Sequence, residues 1–376
     1  MTKRIEILSP AGDFEKLRSA LRFGADAVYL AGKNFGMRAA SGNFTVEELY
    51  EASRLVHSLG KKMYLTVNVL LHGYEYAELR EFLCEIKDAG IDAIIAADLG
   101  VIDTVREILP DMPIHISTQA SICSPAAAVA YARMGASRLV LARELTFSEI
   151  RAIRDAVPED VELEAFVHGA MCVAYSGRCL LSQMLTGRDA NHGACAQPCR
   201  WEYSIIEEKR PELPIPIEQT NLGTFIMSSK DMCTIEHIPE LIACGIDSFK
   251  IEGRVKSAYY TAVVTNAYRM AVDAYLRDLE NYKFDPTWLA ELESVSHREY
   301  GTGFYEDTPM SDPKICEKSG YIREKAYLAL AEGDAKAGEI CLFRQKNKLS
   351  VGEAAEIITP VNPVSVWRSP SFSTRK

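Results

Sequence analysis

The absences in this sequence narrow its reading first. No apolar run among the 376 residues reaches the roughly 18 to 20 needed to cross a bilayer. The first residues, MTKRIEILSPAGD, have neither the apolar core nor the small-residue cleavage site of a secretory signal. The expectation is a cytoplasmic protein with no membrane contact. Basic charge is also in short supply: 42 Lys and Arg stand against 52 Asp and Glu, for a net charge of −10. That argues against a surface coated for nucleic acid, although it leaves room for a local basic groove. There is no H-E-x-x-H zinc helix and no G-x-S-x-G nucleophile elbow. The run SPAGDFEK after the first strand candidate is not G-x-G-x-x-G, so a dinucleotide-binding doubly wound sheet ranks second among α/β folds. The C-x-x-C pairs of common zinc modules are missing too.

Cysteine is what the chain does have. Four of its ten cysteines, Cys172, Cys179, Cys195 and Cys199, fall within 28 residues, and Cys233 follows in SSKDMC. In a reducing compartment these do not form a disulfide framework. That leaves an iron–sulfur cluster, scattered structural thiols, a zinc site or a reactive nucleophile. If the segment were helical, the seven-residue step from Cys172 to Cys179 would put both thiolates on one face, and Gly177 could bend the segment inward. Soft thiolates match soft metal centres. Cys84, Cys123, Cys244, Cys316 and Cys341 read as ordinary structural thiols. His168 lies four residues before Cys172, which on a helix would make a Cys–His nucleophile pair. Several thiols rather than one favour His168 as a pocket wall or supporting residue.

Up to about residue 168, β-rich runs alternate with amphipathic helical runs at roughly 25-residue spacing. The strand candidates are IEILSP, AVYLAG, KMYLTVNVL, AIIAAD, IHISTQAS, RLVLAREL and ELEAFVHG, with SFKIEGR as an eighth. The prediction is an α/β protein, a (β/α)8 TIM-barrel-like domain over 1–313 with a Cys-rich insertion at about 168–235. Within that insertion EEKRPELPIPIEQTN reads as a surface excursion or hairpin. From about Lys314 the short strands GEICLF and AAEIITP suggest a small C-terminal β appendage over 314–376, and NPVSVWRSPSFSTRK reads as a disordered tail. Lys250, Glu252 and Arg254 alternate in FKIEGR, so a strand would point all three into the barrel mouth, where they meet a ligand or each other. Lys250 and Arg254 would suit a carboxylate ligand. Asn68, Gln119, Arg143 and Glu164 fall near predicted strand ends and can line the same mouth. The short basic or aromatic runs GRVK, CRWEY and RQKNK are weak candidates for RNA contacts.

One stretch is more specific. In EAFVHGAMCVAYSGRCLLS, residues 164–182, the order is Glu, x, Phe, two residues, Gly, small, aliphatic, Cys, four residues, Gly, x, Cys, x, aliphatic, Ser. With LSPAGD, GADAVYL, STQAS, LARELT, RWEY and KIEGR, it resembles the signature of the collagenase-like peptidase family, peptidase family U32, over about residues 5 to 280. Members are described as peptidases. A nearer resemblance is to the tRNA hydroxylation proteins, which make wobble 5-hydroxyuridine with a [4Fe-4S] cluster and prephenate as hydroxyl source. The resemblance implies an oxygen-independent tRNA-modifying enzyme that takes tRNA and a small carboxylate co-substrate. It implies Cys172, Cys179 and Cys195 as cluster ligands, with Cys199 or Cys233 as the fourth, Cys199 being favoured by its place in the same short segment. The alternatives are a collagenase-like peptidase using Cys172 and His168, and a cluster-bearing subunit acting on a small molecule or assembling with itself or a related subunit.

Overall fold

The computed structural model describes residues 4–368 apart from 39–40, 173, 176–177, 202–204, 208–209, 216–228, 307–315, 317–320, 334–335, 337–338 and 351–352. Six β/α units open the chain: β1 (Glu6–Pro10) and α1 (Phe14–Arg22), β2 (Ala27–Ala31) and α2 (Val46–Ser58), β3 (Lys62–Val67) and α3 (Tyr76–Glu85), β4 (Ala93–Ala96) and α4 (Leu99–Ile108), β5 (Ile114–Ile116) and α5 (Pro125–Arg133), and β6 (Arg138–Val140) and α6 (Phe147–Ala156). Five of these helices start at a side chain that accepts a backbone N–H of the first turn: Asp13, Thr45, Asp98, Ser124 and Thr146. Glu48 and Glu149 complete capping boxes at two of them. The local chemistry therefore marks where each crossover turns back.

After β7 (Glu162–Ala170) the order is α7 (Leu181–Thr186), the antiparallel hairpin β8 (Ile205–Glu207) and β9 (Arg210–Ile215), β10 (Asp231–Cys233), α8 (Ile238–Ala243), β11 (Ser248–Ile251), α9 (Ala258–Arg277), α10 (Pro286–Glu293) and β12 (Tyr300–Gly301). Strands β11, β1, β2, β3, β4, β5, β6 and β7 are parallel neighbours in that order, and β11 also pairs with β7. The result is a closed eight-stranded parallel barrel, and all eight strand candidates of the sequence are its staves. Strand β10 runs antiparallel to the end of β7, and β12 pairs with β10, so this wall rises above the others.

Side chains on the outer face of the strands, such as Ile7, Val28, Leu30, Leu65 and Phe249, pack under the helices. The barrel interior holds a much smaller apolar group: Leu8, Ala27, Tyr29, Tyr64, Ala93 and Ile95. Charge fills much of the remaining interior. Arg138, 2% exposed, donates to Glu6, Glu162 and Glu164 at 2.5, 2.6 and 3.0 Å. Barrels of this kind are usually filled by branched aliphatic side chains, so an ionic interior is a departure.

In the C-terminal part, β13 (Ala329–Ala331) pairs with β14 (Phe343–Gln345), and β15 (Ala354–Ile357) with β16 (Ser365–Arg368). Two expectations change here. Among the described residues of GEICLF, Phe343 alone is in a strand, and that strand pairs with β13. Ser365–Arg368, expected in a disordered tail, forms a strand because β15 offers it four successive partners from Ala354 to Ile357. Residues 369–376 and the expected boundary at Lys314 lie outside the described residues. Among those described, no helix is long and apolar enough to cross a membrane.

Candidate active site at the barrel mouth

The carboxyl ends of the strands frame a pocket, and the side chains predicted for it come from distant parts of the chain. Lys250, Glu252 and Arg254 all line it, as do Asn68, Gln119 and Arg143. Phe249 and Ile251 face the helical layer instead, so the alternation read from FKIEGR holds. Glu164 is a correction. It stands below the pocket, fully buried, where its carboxylate accepts from the Lys250 ammonium at 2.6 Å and from Arg138 at 3.0 Å. The reason is its position near the start of a nine-residue strand rather than at its end.

Glu252 is the pocket's carboxylate. Arg38 donates to it at 3.2 Å, and the Tyr29 hydroxyl donates to it at 3.4 Å and to the Ile251 carbonyl at 2.8 Å. Burial pushes its pKa up, but Arg38, Arg254 and Arg143 outweigh burial and hold it below the ordinary value. Arg254 donates to Thr66 at 3.2 Å and to the Met37 carbonyl, and burial lowers its pKa. It has no ion pair among the described residues. Lys250 is neutralised from below by Glu164 and lies 4.6 Å from the Tyr29 ring centroid. Three guanidinium groups (Arg38, Arg143, Arg254) and one carboxylate thus line the pocket, a basic lining in a chain of net charge −10. Such a mouth fits an anionic ligand.

Two glycines let the backbones meet here. Gly169 has φ +111°, and a Cβ on it would stand 2.4 Å from the Glu252 carbonyl oxygen. On Gly12 a Cβ would stand 2.2 Å from the Arg254 carbonyl oxygen. Glycine is required at both positions.

The cysteine-bearing segment leaves from the top of β7. Residues 171–180 contain no helix among the described residues, so the face-sharing geometry expected of Cys172 and Cys179 is not formed, and Gly177 lies outside the described residues. The four thiols are nevertheless neighbours. Burial raises the pKa of Cys199, and Cys172, Cys195 and Cys179 add to the rise, because gathered thiolates repel one another. Cys172 also favours the charged form of Arg38, which places it beside the pocket. Cys233 is elsewhere, opposite His168 in the β10–β7 ladder and near Tyr268, with its thiol pushed up to about 12 by burial. As they stand, no three His, Cys, Asp or Glu side chains among the described residues form a group that could hold a metal ion. Cys172, Cys179, Cys195 and Cys199 match a cluster in donor type and lie in one neighbourhood, but not at ligating spacing. Ligation requires the thiols to draw together.

His168 corrects another expectation. It lies on a strand, so no helical pairing with Cys172 exists. Lys250 pairs with Phe166 and Ile251 with His168, which leaves Val167 as an extra residue in β7. This bulge puts the alternation out of step and turns the imidazole toward Tyr260, Tyr268 and Tyr300, with ring centroids 5.3 to 5.9 Å away. Neither ring nitrogen has a hydrogen-bond partner among the described residues, and burial lowers its pKa to about 3. The Cys172–His168 pair of a thiol peptidase is therefore not formed.

Arg38, Tyr29 and Thr66 were missed from the sequence, although all three line the pocket. A signal for Arg38 was available in GKNFGMR, a glycine-rich loop following a barrel strand, which is where barrel enzymes place functional side chains. Its φ of +76° is unusual for a non-glycine residue.

Comparison with known proteins agrees with the motif. Peptidase family U32 matches residues 12–313. The chain is 38% identical over 360 residues to tRNA hydroxylation protein P1 of Bacillus subtilis, covering 96% of this chain and 85% of that protein. It is 34% identical over 355 residues to a protein named Collagenase from Porphyromonas gingivalis, covering 89% and 84%. It is 36% identical over 275 residues to a 23S rRNA 5-hydroxycytidine synthase of Escherichia coli, covering 73% of this chain and 40% of that protein.

Proposed function

The chain belongs to peptidase family U32, and from that membership and the chemistry of the barrel mouth we propose that it hydroxylates a pyrimidine base of RNA, the wobble uridine of tRNA in particular. The observation that carries the reading is the positive pocket around Glu252 with Cys172 at its edge. The names of the Bacillus and Escherichia relatives, which act on tRNA and rRNA, support it.

In this reading Arg254 and Arg143 hold the carboxylates of a small hydroxyl donor of the prephenate class. Glu252, kept ionised by Arg38, accepts a proton from the substrate. Lys250, fixed by Glu164, stabilises negative charge that develops in the pocket. A [4Fe-4S] cluster on Cys172, Cys179, Cys195 and Cys199 would supply electron transfer beside them. The peptidase reading has a relative named Collagenase behind it, but the Cys172–His168 pair it would use is not formed, because His168 faces Tyr260, Tyr268 and Tyr300.

The test is nucleoside analysis of tRNA from a deletion strain carrying the gene or its variants. Wild type restores 5-hydroxyuridine, and Arg254→Gln or Glu252→Gln lowers it at least about a hundredfold. Cys172→Ala and Cys199→Ala lose iron and acid-labile sulfide from anaerobically purified protein, whereas Cys233→Ala keeps them. Full modification by both pocket variants would sink the proposal.

A further inference from the structure

Outside the pocket, the chain gathers cations in one more place. Lys256 lies two residues beyond Arg254, and Arg200 directly follows Cys199. The structure brings these two distant segments together around Tyr321. Arg200 donates to the Tyr321 hydroxyl at 3.0 Å, and the Lys256 ammonium stands 4.4 Å from the Tyr321 ring centroid. Arg323 joins them through Ser296, whose carbonyl accepts from Lys256 at 2.9 Å and whose hydroxyl accepts from Arg323 at 3.3 Å.

None of Arg200, Lys256 and Arg323 is ion-paired with a carboxylate among the described residues. Burial lowers the pKa of Lys256 to about 8, with Asp231 opposing the shift and Arg200, Arg298 and Arg323 adding to it. Asp231 is itself bound to Arg298 at 2.6 Å. Like charges do not assemble on an acidic protein without a counter-charge to meet. Two rings stand open beside them, Tyr321 at 40% and Trp201 at 43% exposure. Unpaired cations interleaved with exposed rings are the recognition chemistry of an unpaired nucleic-acid strand, where phosphates take the charges and bases stack on the rings.

We infer that Arg200, Lys256, Arg323 and Tyr321 form a binding track for the phosphodiester backbone of single-stranded RNA, leading to the barrel mouth. The inference rests on the RNA-modifying reading and adds to it the surface that delivers the strand. The track holds nucleotides flanking the target base while that base enters the pocket beside Glu252. It also supplies local attraction that the net charge of −10 otherwise denies to a polyanion.

The experiment is fluorescence anisotropy of the full chain with a short fluorescein-labelled RNA hairpin carrying uridine in its loop, titrated across salt concentrations. Wild type is compared with Arg200→Gln/Lys256→Gln/Arg323→Gln, and with Arg344→Gln/Lys346→Gln in the appendage. The triple variant is expected to lose about 2 units from the slope of log Kd against log salt, at about 0.7 per phosphate contact on a single strand. The appendage variant keeps the wild-type slope. Tyr321→Leu weakens binding about tenfold with the slope unchanged, separating stacking from charge. Should the triple variant misfold, Arg200→Gln and Arg323→Gln alone are each expected to remove about 0.7. A triple variant with wild-type affinity and slope overturns the track and leaves the RNA-modifying reading standing. A wild-type chain that ignores the hairpin but binds poly-glutamate through the same three residues overturns both, and assigns the surface to an acidic polypeptide.

Discussion

Glu164 shows how the charge of one residue is shared. Its carboxylate is fully buried and serves both Lys250 and Arg138. Replacing it with Gln leaves two buried cations facing a neutral amide, at a cost of roughly 3 to 5 kcal/mol. Arg138 keeps Glu6 and Glu162, so Lys250→Met in that background removes the charge left unpaired and should restore most of the loss. Urea unfolding of the two single variants and the double variant measures the coupling, and strictly additive effects would show that Glu164 and Lys250 do not act as a pair. The residue scale is also where sequence reasoning was most uneven. Lys250, Glu252 and Arg254 were legible because a period of two needs only three positions. His168 was not, because one extra residue at Val167 reverses the face and nothing in VHGA announces the bulge.

Among the elements, the regular units were legible and the insertion was not. Caps at Asp13, Thr45, Asp98, Ser124 and Thr146 leave a sequence signature, and strands buried on both faces are continuous apolar runs. Residues 171–200 have no such period, so their path depends on contacts made far away. One of these is at His192, which reaches Glu75 at 3.0 Å and stacks on His72 with centroids 5.6 Å apart and planes 11° from parallel. Because this contact joins the insertion to the turn before α3, His192→Ala should release the segment without unfolding the barrel. The contact ties down a peripheral segment rather than the barrel core, so the global unfolding midpoint should barely move. Hydrogen exchange across 181–200 should rise several-fold while β1 to β6 stay protected. Equal loss of protection in the barrel strands would refute this division.

At the scale of the whole molecule, buried neutral histidines set the response to acid. Burial takes the His168 pKa from the ordinary 6.5 to about 3, and also depresses His115 well below its ordinary value. The unfolded chain therefore binds protons below about pH 6.5 that the folded chain refuses, and stability falls as pH drops. The contribution is complete above the unfolded value. It shrinks by about 1.4 kcal/mol per pH unit per histidine below it. Glu6, Asp231 and Glu252, whose folded values are lowered, add a further loss below the ordinary carboxylate range. Urea unfolding at about pH 7.5 and pH 5 should lose about 2 kcal/mol less in His168→Phe than in wild type. An identical loss in both proteins would place the acid response elsewhere.

The closure of the barrel also bears on its synthesis. Glu6 pairs with Ser248, so the first stave and the last are 242 positions apart along the chain. At the roughly 5 to 20 residues per second of translation, β1 emerges about 12 to 50 s before the strand that will seal it. Through that interval the nascent sheet carries an open seam, with the backbone groups of β1 unclaimed on one side. The thiols at 172–199 leave the ribosome while that seam is still open. The growing chain therefore offers its sulfur to the cell before its barrel is shut.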